Sequence, residues 1–323
     1  MAGAETAGVG GKVGGVMDSL RDAYGDTLVE LGQEGANLIV FDADLAGSTR
    51  TGKFAKAFPE RFFNMGAAEQ GMVAAAAGAA TTGVVPFVST FAMFATGRAY
   101  EFVRQAVGVG HQNVKIVATH AGLTVGEDGG THQCLEDLAL MAMIPGMTVL
   151  SPADAIETKQ AIRFAYAHQG PVYVRLTRDK FPRIHAEDYR FEVGKAVVMR
   201  QGKDVLLVCC GLGTSICLDA SELLAAEGIE ATVLHCPTVK PFDRETLVRL
   251  AKQHRAVVTC EEHQAHGGLG GTVAEILGEA HPMPVRRVGV KDQFGQSGKP
   301  EKLLEAYGIT PQAVAQAAKD ALA

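Results

Sequence analysis

The chain has 323 residues, of which 47% are hydrophobic and 20% charged, so it can bury a core large enough for two domains. Its formal charge of −6 and the lack of any Lys or Arg run argue against nucleic acid or an anionic membrane as a partner. Six cysteines without a Cys-x-x-Cys pair indicate reduced thiols and a cytoplasmic protein.

The first half of the chain alternates between helical and strand patterns. Residues 1–15 are rich in Gly and Ala and predict a flexible leader, since they lack the continuous apolar core of a signal peptide. The predicted helices cover 17–32, 91–107 and 154–168, and a further predicted helix begins at Glu69. The predicted strands cover 36–42, 84–89, 114–119, 147–150 and 172–176. This alternation is typical of a mostly parallel sheet with helices on both faces.

The pattern lapses between 179 and 191 and then resumes. That stretch is polar with little periodicity, so we predict a first domain over 16–185 and a second, smaller α/β domain over 192–323. In the second domain the predicted strands cover 205–209, 231–234, 256–260 and 285–288, and the predicted helices cover 215–228, 243–254 and 269–280. The weakly polar stretch 72–88 predicts no membrane span, because Thr, Gly and Pro interrupt it.

A single carboxylate, Glu69, stands at the head of a run of small apolar residues. The run continues through Gln70-Gly71-Met72 to Ala80. A packed helix of such residues offers the carboxylate no polar partner. Glu69 is therefore either functional or an ordinary helix-start charge that gains from the helix dipole.

Two glycine-rich turns of the second domain could contact an anion. Gly211-Leu212-Gly213 follows a strand and opens a helix, as in a dinucleotide fingerprint, but Ile216 occupies the third glycine position. The stretch 267–271 could present backbone amides at a helix start. In both cases the sequence favours a plain strand-to-helix turn.

A glycine-rich loop, residues 119–133, begins where a predicted strand ends, and we call it the histidine loop. It carries His120, Asp128 and His132 at the carboxyl edge of the sheet, where open α/β sheets bind ligands. Histidine donates or accepts hydrogen bonds and titrates near neutrality, so the loop favours proton transfer on a polyhydroxylated substrate. Its spacing matches no compact metal-ligand pattern, although a metal site and a purely structural loop are alternatives.

Several of these segments together resemble transketolase, and more narrowly the C-terminal subunit of a split transketolase. They are Ala68-Glu69-Gln70, Phe91-Ala92-Met93-Phe94, Gly126-Glu127-Asp128-Gly129-Gly130-Thr131-His132-Gln133, and Glu262-His263 with Gly267-Gly268-Leu269-Gly270. The similarity runs over essentially the whole chain after the leader. It implies an α/β pyrimidine-binding thiamine-diphosphate fold with a mostly parallel sheet, followed by a smaller α/β transketolase C-terminal domain.

The resemblance also implies roles for individual residues. Glu69 resembles the glutamate that hydrogen-bonds the pyrimidine N1′ of thiamine diphosphate, and Phe91 and Phe94 match aromatic residues that pack on that ring. Phenylalanines at this spacing also occur in plain cores. His132 resembles the histidine beside the donor carbonyl, and Asp128 the acid that contacts the α-hydroxyl. The residues that resemble the family's sugar-phosphate-binding residues, here called the phosphate grip, are His120, Arg21, Ser48 and Arg178. The catalytic candidates are Glu69, His132 and His120.

Two positions depart from the family pattern. Gly97 stands where many transketolases have a further aromatic residue, and Ala121 follows His120 where they have an acid. Both positions are expected near the cofactor or the sugar, so they leave cofactor stacking and the identity of the sugar open.

The diphosphate half of the site is missing from the sequence. Thiamine-diphosphate enzymes hold the diphosphate through a divalent ion bound by a Gly-Asp-Gly motif and a later Asn, and this sequence contains no Gly-Asp-Gly. We therefore predict that Mg²⁺ or Ca²⁺ is held by a transketolase N-terminal partner subunit, in an α2β2 heterotetramer, and that this chain holds no metal.

The predicted activity is transfer of a two-carbon ketol unit from a phosphorylated ketose to an aldose. The alternatives are a subunit like 1-deoxyxylulose-phosphate synthase or the E1β chain of a 2-oxo-acid dehydrogenase, and a non-catalytic assembly subunit. Arg21 and Arg178 disfavour a purely apolar acyl pocket. A non-catalytic assembly subunit would not need Glu69 together with the histidine loop, so these residues disfavour that alternative.

Overall fold

The computed structural model describes residues 15–323, so all of the predicted leader except Gly15 lies outside the described residues. We call residues 15–192 the first half of the chain and residues 193–323 the second half. In the first half the strands are β1 (Met17–Ser19), β2 (Leu38–Asp42), β3 (Phe62–Asn64), β4 (Val85–Phe91), β5 (Lys115–Thr119), β6 (Thr148–Leu150), β7 (Val172–Arg175) and β8 (Lys180–Pro182). Its helices are α1 (Leu20–Gln33), α2 (Ala46–Thr49), α3 (Gly52–Ala57), α4 (Glu69–Ala80), α5 (Tyr100–Phe102), α6 (Asp137–Ala142) and α7 (Ala155–Ala167).

The second half continues the alternation of strands and helices. Its strands are β9 (Val197–Arg200), β10 (Val205–Cys209), β11 (Ala231–His235), β12 (Thr238–Lys240), β13 (Ala256–Gln264) and β14 (Val285–Val290). Its helices are α8 (Gly213–Ala226), α9 (Arg244–Ala251), α10 (Leu269–Ala280), α11 (Pro300–Ala306) and α12 (Pro311–Leu322). Among the helices of residues 15–323, none is both long and apolar enough to cross a membrane.

The larger sheet has the strand order β12-β6-β7-β5-β4-β2-β3, and its neighbours run parallel except for β12 beside β6. The strands β4, β5 and β7 are buried along their whole length, as expected of parallel strands with helices on both faces. The five-stranded sheet has the order β14-β13-β10-β11-β9, with only the edge strand β9 antiparallel. The predicted α/β fold with mostly parallel sheets is confirmed.

Side chains cap several helices where the sequence predicts helix starts. The Ser19 hydroxyl accepts the N–H of Asp22 at 3.3 Å, so α1 begins after a short strand rather than at residue 17. The Asp154 carboxylate accepts the N–H of Glu157 at 3.0 Å at the start of α7. The beginning of the helix predicted over 17–32 is therefore corrected, because Met17–Ser19 pairs with β8. That pairing also places a strand inside the polar stretch 179–191, which has no strand pattern of its own.

The helix predicted over 91–107 is wrong at its start. Phe91 is the last residue of β4, where it pairs with Thr119 of β5. Helical backbone begins at Ala92 and includes two π-helical segments, Phe94–Arg98 and Val103–Val109. An aromatic residue at the junction fits either periodicity, so the local pattern does not locate the boundary. The π-helical turns matter because such turns are often found at functional sites.

Candidate active site

Glu69 lies at the first position of α4 and is nearly buried, with 4% of its surface exposed. Arg98 approaches Glu69 Oε2 at 3.9 Å, but the Arg98 side chain is 57% exposed, so water largely screens its charge. Within the described residues Oε2 has no hydrogen-bond partner. The carboxylate therefore presents an unsatisfied oxygen in a nearly dry position.

Parallel pairing of β4 with β5 brings aromatic and imidazole rings together. Phe91 is opposite Thr119 in the register, so the following residue, His120, comes beside Phe91. The rings of Phe91 and His120 stack with centroids 3.7 Å apart and an interplanar angle of 19°. Phe94 stacks on Phe91 at 5.8 Å, and His132 meets Phe94 edge-on at 5.5 Å. Four predicted site residues thus form one contiguous cluster of rings.

A threonine holds each of the two imidazoles. Thr119 Oγ1 lies 2.9 Å from His120 Nδ1, and Thr131 Oγ1 lies 2.9 Å from His132 Nδ1. These contacts leave Nε2 of each ring for other partners. His120 also has a φ of 57°, a left-handed conformation that non-glycine residues adopt at a cost. Sequence reasoning missed both threonines, although the repeated Thr-His pair was a visible signal.

The surroundings of His120 disfavour its charged form. Burial, reinforced by the charges of Arg21 and Arg178, lowers the pKa of His120 to about 3. The ring is therefore neutral at pH 7, where it serves as a hydrogen-bond donor or acceptor. In this chain His120 does not titrate near neutrality, in contrast to what the loop pattern predicts for its histidines.

A cleft of about 490 Å³ opens in the same region. Its lining is rich in charged side chains, namely Arg21, Arg178, Lys180, Lys299, Glu127, Asp179 and Glu301. Arg178 donates to the carbonyl oxygen of Val125 and lies 3.8 Å from the Asp128 carboxylate. Arg21 Nη1 donates to the Ser48 carbonyl oxygen at 2.7 Å. Of the residues that resemble a phosphate grip, Arg21 and Arg178 line this cleft, and Ser48 contacts Arg21 through its carbonyl oxygen.

The second half of the chain supports the histidine loop. Glu262 in β13 accepts the backbone N–H of Thr124 at 2.5 Å. Gly122 passes so close that a Cβ there would lie 2.3 Å from the Glu262 carboxyl carbon, and its φ of +85° favours glycine. Gln133 Nε2 donates to the Gln296 carbonyl oxygen at 3.0 Å. Glu262 and Gln133 therefore position the loop, and their distant partners could not be identified from sequence spacing.

The two glycine-rich turns of the second half are satisfied by the protein itself. A Cβ on Gly213 would lie 2.3 Å from the Cys260 carbonyl oxygen, so this turn is a close packing contact. The amides of Leu269 and Gly270 do bind an anion, but it is the Glu261 carboxylate, at 2.7 Å from each nitrogen. Both turns therefore have a structural explanation.

Two family models match the sequence. The one described as Transketolase, pyrimidine binding domain matches residues 18–183, and the one described as Transketolase, C-terminal domain matches residues 194–314. The chain belongs to the transketolase family.

Relatives within the transketolase family include proteins of similar length. A Methanocaldococcus jannaschii protein provisionally named as a transketolase C-terminal section is 46% identical over 308 residues, which are 94% of this chain and 96% of that protein. A 6-deoxy-6-sulfo-D-fructose transketolase subunit of Clostridium sp. is 42% identical over 301 residues, which are 93% of this chain and 94% of that protein. A solved split-gene transketolase, described as an inactive β4 tetramer, superposes with a TM-score of 0.88 and 51% identity, covering 95% of this chain and 99% of that chain. The predicted resemblance to the C-terminal subunit of a split transketolase is confirmed.

The transketolase family depends on thiamine diphosphate, and the site fits the pyrimidine end of that cofactor. The unpartnered Oε2 of Glu69 is a buried polar atom, and leaving such an atom unsatisfied costs about 1–3 kcal/mol. A heterocycle nitrogen that shares a proton with Glu69 would satisfy it. The half-buried ring of Phe94 provides an apolar surface in the same part of the fold.

Proposed function

We propose that this chain is the pyrimidine-binding subunit of a two-component transketolase, which moves a two-carbon ketol unit from a phosphorylated ketose to an aldose. One observation carries the proposal, namely the buried Glu69 carboxylate whose Oε2 has no partner within the described residues. The pyrimidine N1′ of thiamine diphosphate would supply that partner. When bound, the cofactor supplies the carbon nucleophile that attacks the ketose carbonyl.

The ring cluster would hold the pyrimidine and keep water away from it. Phe91 is already covered by His120 on one side, so Phe94 offers the more accessible apolar surface. Excluding water strengthens the hydrogen bond between Glu69 and N1′, because electrostatic interactions are stronger at low dielectric constant. Gly97 lies in the π-helical turn after Phe94, where an aromatic side chain is absent and Met93 fills the space beside it.

The two histidines would act on the sugar itself. His132 has its Nδ1 engaged by Thr131, so Nε2 is the atom proposed to meet the donor carbonyl and move a proton there. His120 is neutral, and its Nε2 would hydrogen-bond a hydroxyl or a phosphate oxygen. Asp128 would accept the hydrogen bond of the α-hydroxyl.

The cleft around Arg178 and Arg21 would bind the phosphate of the ketose. The planar guanidinium of arginine presents paired N–H donors that match phosphate oxygens. Arg21 is held against the Ser48 carbonyl, and the charges of Arg50 and Arg178 add to burial in lowering the pKa of Arg21. Such crowding of positive groups is relieved when an anion binds between them.

The diphosphate and its Mg²⁺ or Ca²⁺ are assigned to a partner subunit, because this sequence lacks the Gly-Asp-Gly motif. The relative with 51% identity supports this assignment, since its solved form is described as a split-gene transketolase and an inactive β4 tetramer. We propose an α2β2 assembly with the N-terminal transketolase subunit.

Mixing the two subunits tests the proposed function. The purified chain with thiamine diphosphate, Mg²⁺, xylulose 5-phosphate and an aldose phosphate should show no ketol transfer. Adding the polypeptide of the same organism that carries Gly-Asp-Gly and a later Asn should produce turnover. Pyruvate offered in place of the ketose is the control for a 1-deoxyxylulose-phosphate-synthase-like activity. Full turnover by this chain alone would contradict the two-component assignment.

A further inference from the structure

A second buried cluster of polar side chains joins the two halves of the chain and shares no residue with the site described above. It consists of Glu157 from α7, His185 from the segment after β8, and His235 at the end of β11. Donor atoms of the three side chains lie within 4.8 Å of one another. The side chains of His185, His235 and Glu157 are at most 2% exposed. This depth indicates that the cluster has no contact with bulk water.

Each histidine of the cluster is held through its Nδ1 atom. His185 Nδ1 lies 3.0 Å from Asp154 Oδ2, and His235 Nδ1 lies 2.8 Å from Thr214 Oγ1. Both Nε2 atoms consequently face Glu157, at 3.9 Å for His185 and 2.8 Å for His235. An outer hydrogen bond on one ring nitrogen, with the other nitrogen directed inward, is the arrangement of metal-binding histidines.

The two carboxylates near the histidines also accept hydrogen bonds from backbone amides. Asp154 accepts the N–H groups of Glu157 and Ile184 at 3.0 Å each and that of His185 at 2.8 Å. Glu157 Oε2 accepts the N–H of Ala153 at 2.8 Å. Within residues 15–323 no lysine or arginine forms an ion pair with either carboxylate. A bound cation would therefore meet no competing lysine or arginine at this position.

His185 distinguishes a metal site from a plain hydrogen-bonded network. Its Nε2 atom is buried and has no hydrogen-bond partner within the described residues. His235 is satisfied on both nitrogens, by Thr214 and by Glu157, so a hydrogen-bonded network accounts for it fully. The same network leaves His185 Nε2 unsatisfied, at a cost of about 1–3 kcal/mol. A cation bound between His185 and Glu157 removes this cost.

We propose that Glu157, His185 and His235 bind one Zn²⁺ ion, which fastens the first half of the chain to the second. Two imidazole nitrogens and one carboxylate oxygen are ligands that Zn²⁺ prefers. Donor atoms around tetrahedral Zn²⁺ lie about 3.3 Å apart. His185 Nε2 lies 3.9 Å from Glu157 Oε1, and His235 Nε2 lies 2.8 Å from Glu157 Oε2. Both separations differ from that value by about 0.6 Å or less. Tyr189 encloses the cluster, since its ring centroid is 3.9 Å from that of His185 and its hydroxyl is 2.6 Å from Glu157 Oε1. The three side chains leave the fourth position of a tetrahedral ion to a buried water molecule. An ion so far from bulk solvent would be structural, and it would stand against the prediction that this chain holds no metal.

The zinc content of the full chain, produced without a histidine tag and without the partner subunit, tests the proposal. We expect about one Zn²⁺ per chain by mass spectrometry after dialysis. His185→Gln and His235→Gln should each lose the ion, because glutamine keeps hydrogen-bonding groups but is a poor zinc ligand. His254→Gln is the matched control and should keep it, since the ring of this buried histidine contacts Leu250 and Thr232 instead.

A second measurement on the unmodified chain covers the case in which a histidine variant fails to fold. After removal of metal with a chelator, the chain should bind one equivalent of Zn²⁺ in competition with a chromophoric chelator and should melt at a higher temperature. Co²⁺ in the same site should show visible absorption bands of a four-coordinate ion with imidazole ligands. A chain that binds neither ion, or a zinc content unchanged in both histidine variants, would overturn the proposal. The cluster would then be a hydrogen-bonded network of imidazoles and carboxylates.

Discussion

Glu69 combines a helix-start position with burial and an unpartnered oxygen, and this combination separates it from a surface charge. A carboxylate that serves only the helix dipole contributes about 0.3–1 kcal/mol and does so while exposed to water. Glu69 is only 4% exposed, so part of that gain is offset by the loss of hydration. A ligand that forms a hydrogen bond with Oε2 would compensate for this loss of hydration.

We expect Glu69→Gln to slow proton exchange at the thiazolium C2 of thiamine diphosphate by about a hundredfold or more in the assembled enzyme. The amide donates a hydrogen bond but transfers no proton to the pyrimidine. Hydrogen–deuterium exchange at C2, followed by NMR, measures the rate. Glu101→Gln is the control, because Glu101 is an exposed glutamate of α5. An unchanged rate in Glu69→Gln would reduce Glu69 to a helix-start charge.

The contacts of Arg178 are compatible with two roles. It donates to the Val125 carbonyl oxygen of the histidine loop, and it lines the charged cleft. Its ion pair with Asp128 is long, at 3.8 Å, and the Arg178 side chain is 37% exposed, so that pair contributes about 0–1 kcal/mol. A charged hydrogen bond to a substrate phosphate would contribute about 1.5–3 kcal/mol.

We expect Arg178→Ala to raise the KM for a phosphorylated ketose about tenfold or more, because it removes that hydrogen bond. The unphosphorylated donor hydroxypyruvate should be affected much less. Steady-state kinetics with both donors measure the difference, and Arg249→Ala, at an exposed arginine of α9, is the control. Equal losses with both donors would show that Arg178 supports the loop instead, and a phosphate-free substrate would then become the better proposal.

At the scale of elements, the histidine loop depends on β13 of the second half. Burial raises the pKa of Glu262 to about 7, and the Arg175 guanidinium and the Thr124 amide oppose the shift only in part. The folded protein thus keeps a proton on Glu262 that the unfolded chain releases near pH 4.5. The associated stability is fully present below pH 4.5 and is lost as the pH rises through about 7.

We expect Glu262→Gln to remove this dependence, because glutamine imitates the protonated carboxyl at every pH. We compare the free energy of unfolding of the wild type with that of the variant at each pH. The wild type should lose up to about 3 kcal/mol relative to the variant between pH 5 and pH 8. Urea unfolding at the two pH values measures it. Glu222→Gln, at an exposed glutamate of α8, should show no change of this size. If the free energies of unfolding of the wild type and of Glu262→Gln differ by the same amount at both pH values, Glu262 is ionised throughout.

The elements with strong periodicity were predictable from the sequence, and those defined by distant partners were not. The predicted helix over 269–280 coincides with α10, and the strand predicted over 114–119 contains β5. In contrast, β8 and β12 are short, and each exists because a distant strand pairs with it. Local patterns carry no information on such pairing.

The same distinction applies to the candidate site. Glu69 and the histidine loop could be located, because one carboxylate beside small residues and a glycine-rich loop after a strand are local signals. The stacking of Phe91 on His120 depends on the register of β4 and β5, and that register is set by the whole sheet. The contact of Glu262 with Thr124 spans 138 residues, so only the folded chain shows it.

At the scale of the whole molecule, the two halves of the chain share structural elements. The strand β12 belongs to the second half by sequence, yet it completes the larger sheet by pairing with β6. One apolar cluster contains Leu150 and Leu176 of the first half together with Leu207 and Val258 of the second. Separating the halves would expose this core and the edge of β6. Unfolding of one half alone would therefore destabilise the other half.

We therefore expect the chain to unfold in one cooperative transition, with equal calorimetric and van't Hoff enthalpies. Val239 tests the coupling, since it lies in the middle of β12 and is 3% exposed. Val239→Ala should cost about 2 kcal/mol and lower the single melting temperature by several degrees, because it leaves a small cavity between the halves. Val109→Ala, at a valine that is 64% exposed, should leave the melting temperature nearly unchanged. Two resolved transitions, with only one of them shifted by Val239→Ala, would show that the halves fold independently and that β12 contributes little to the larger sheet.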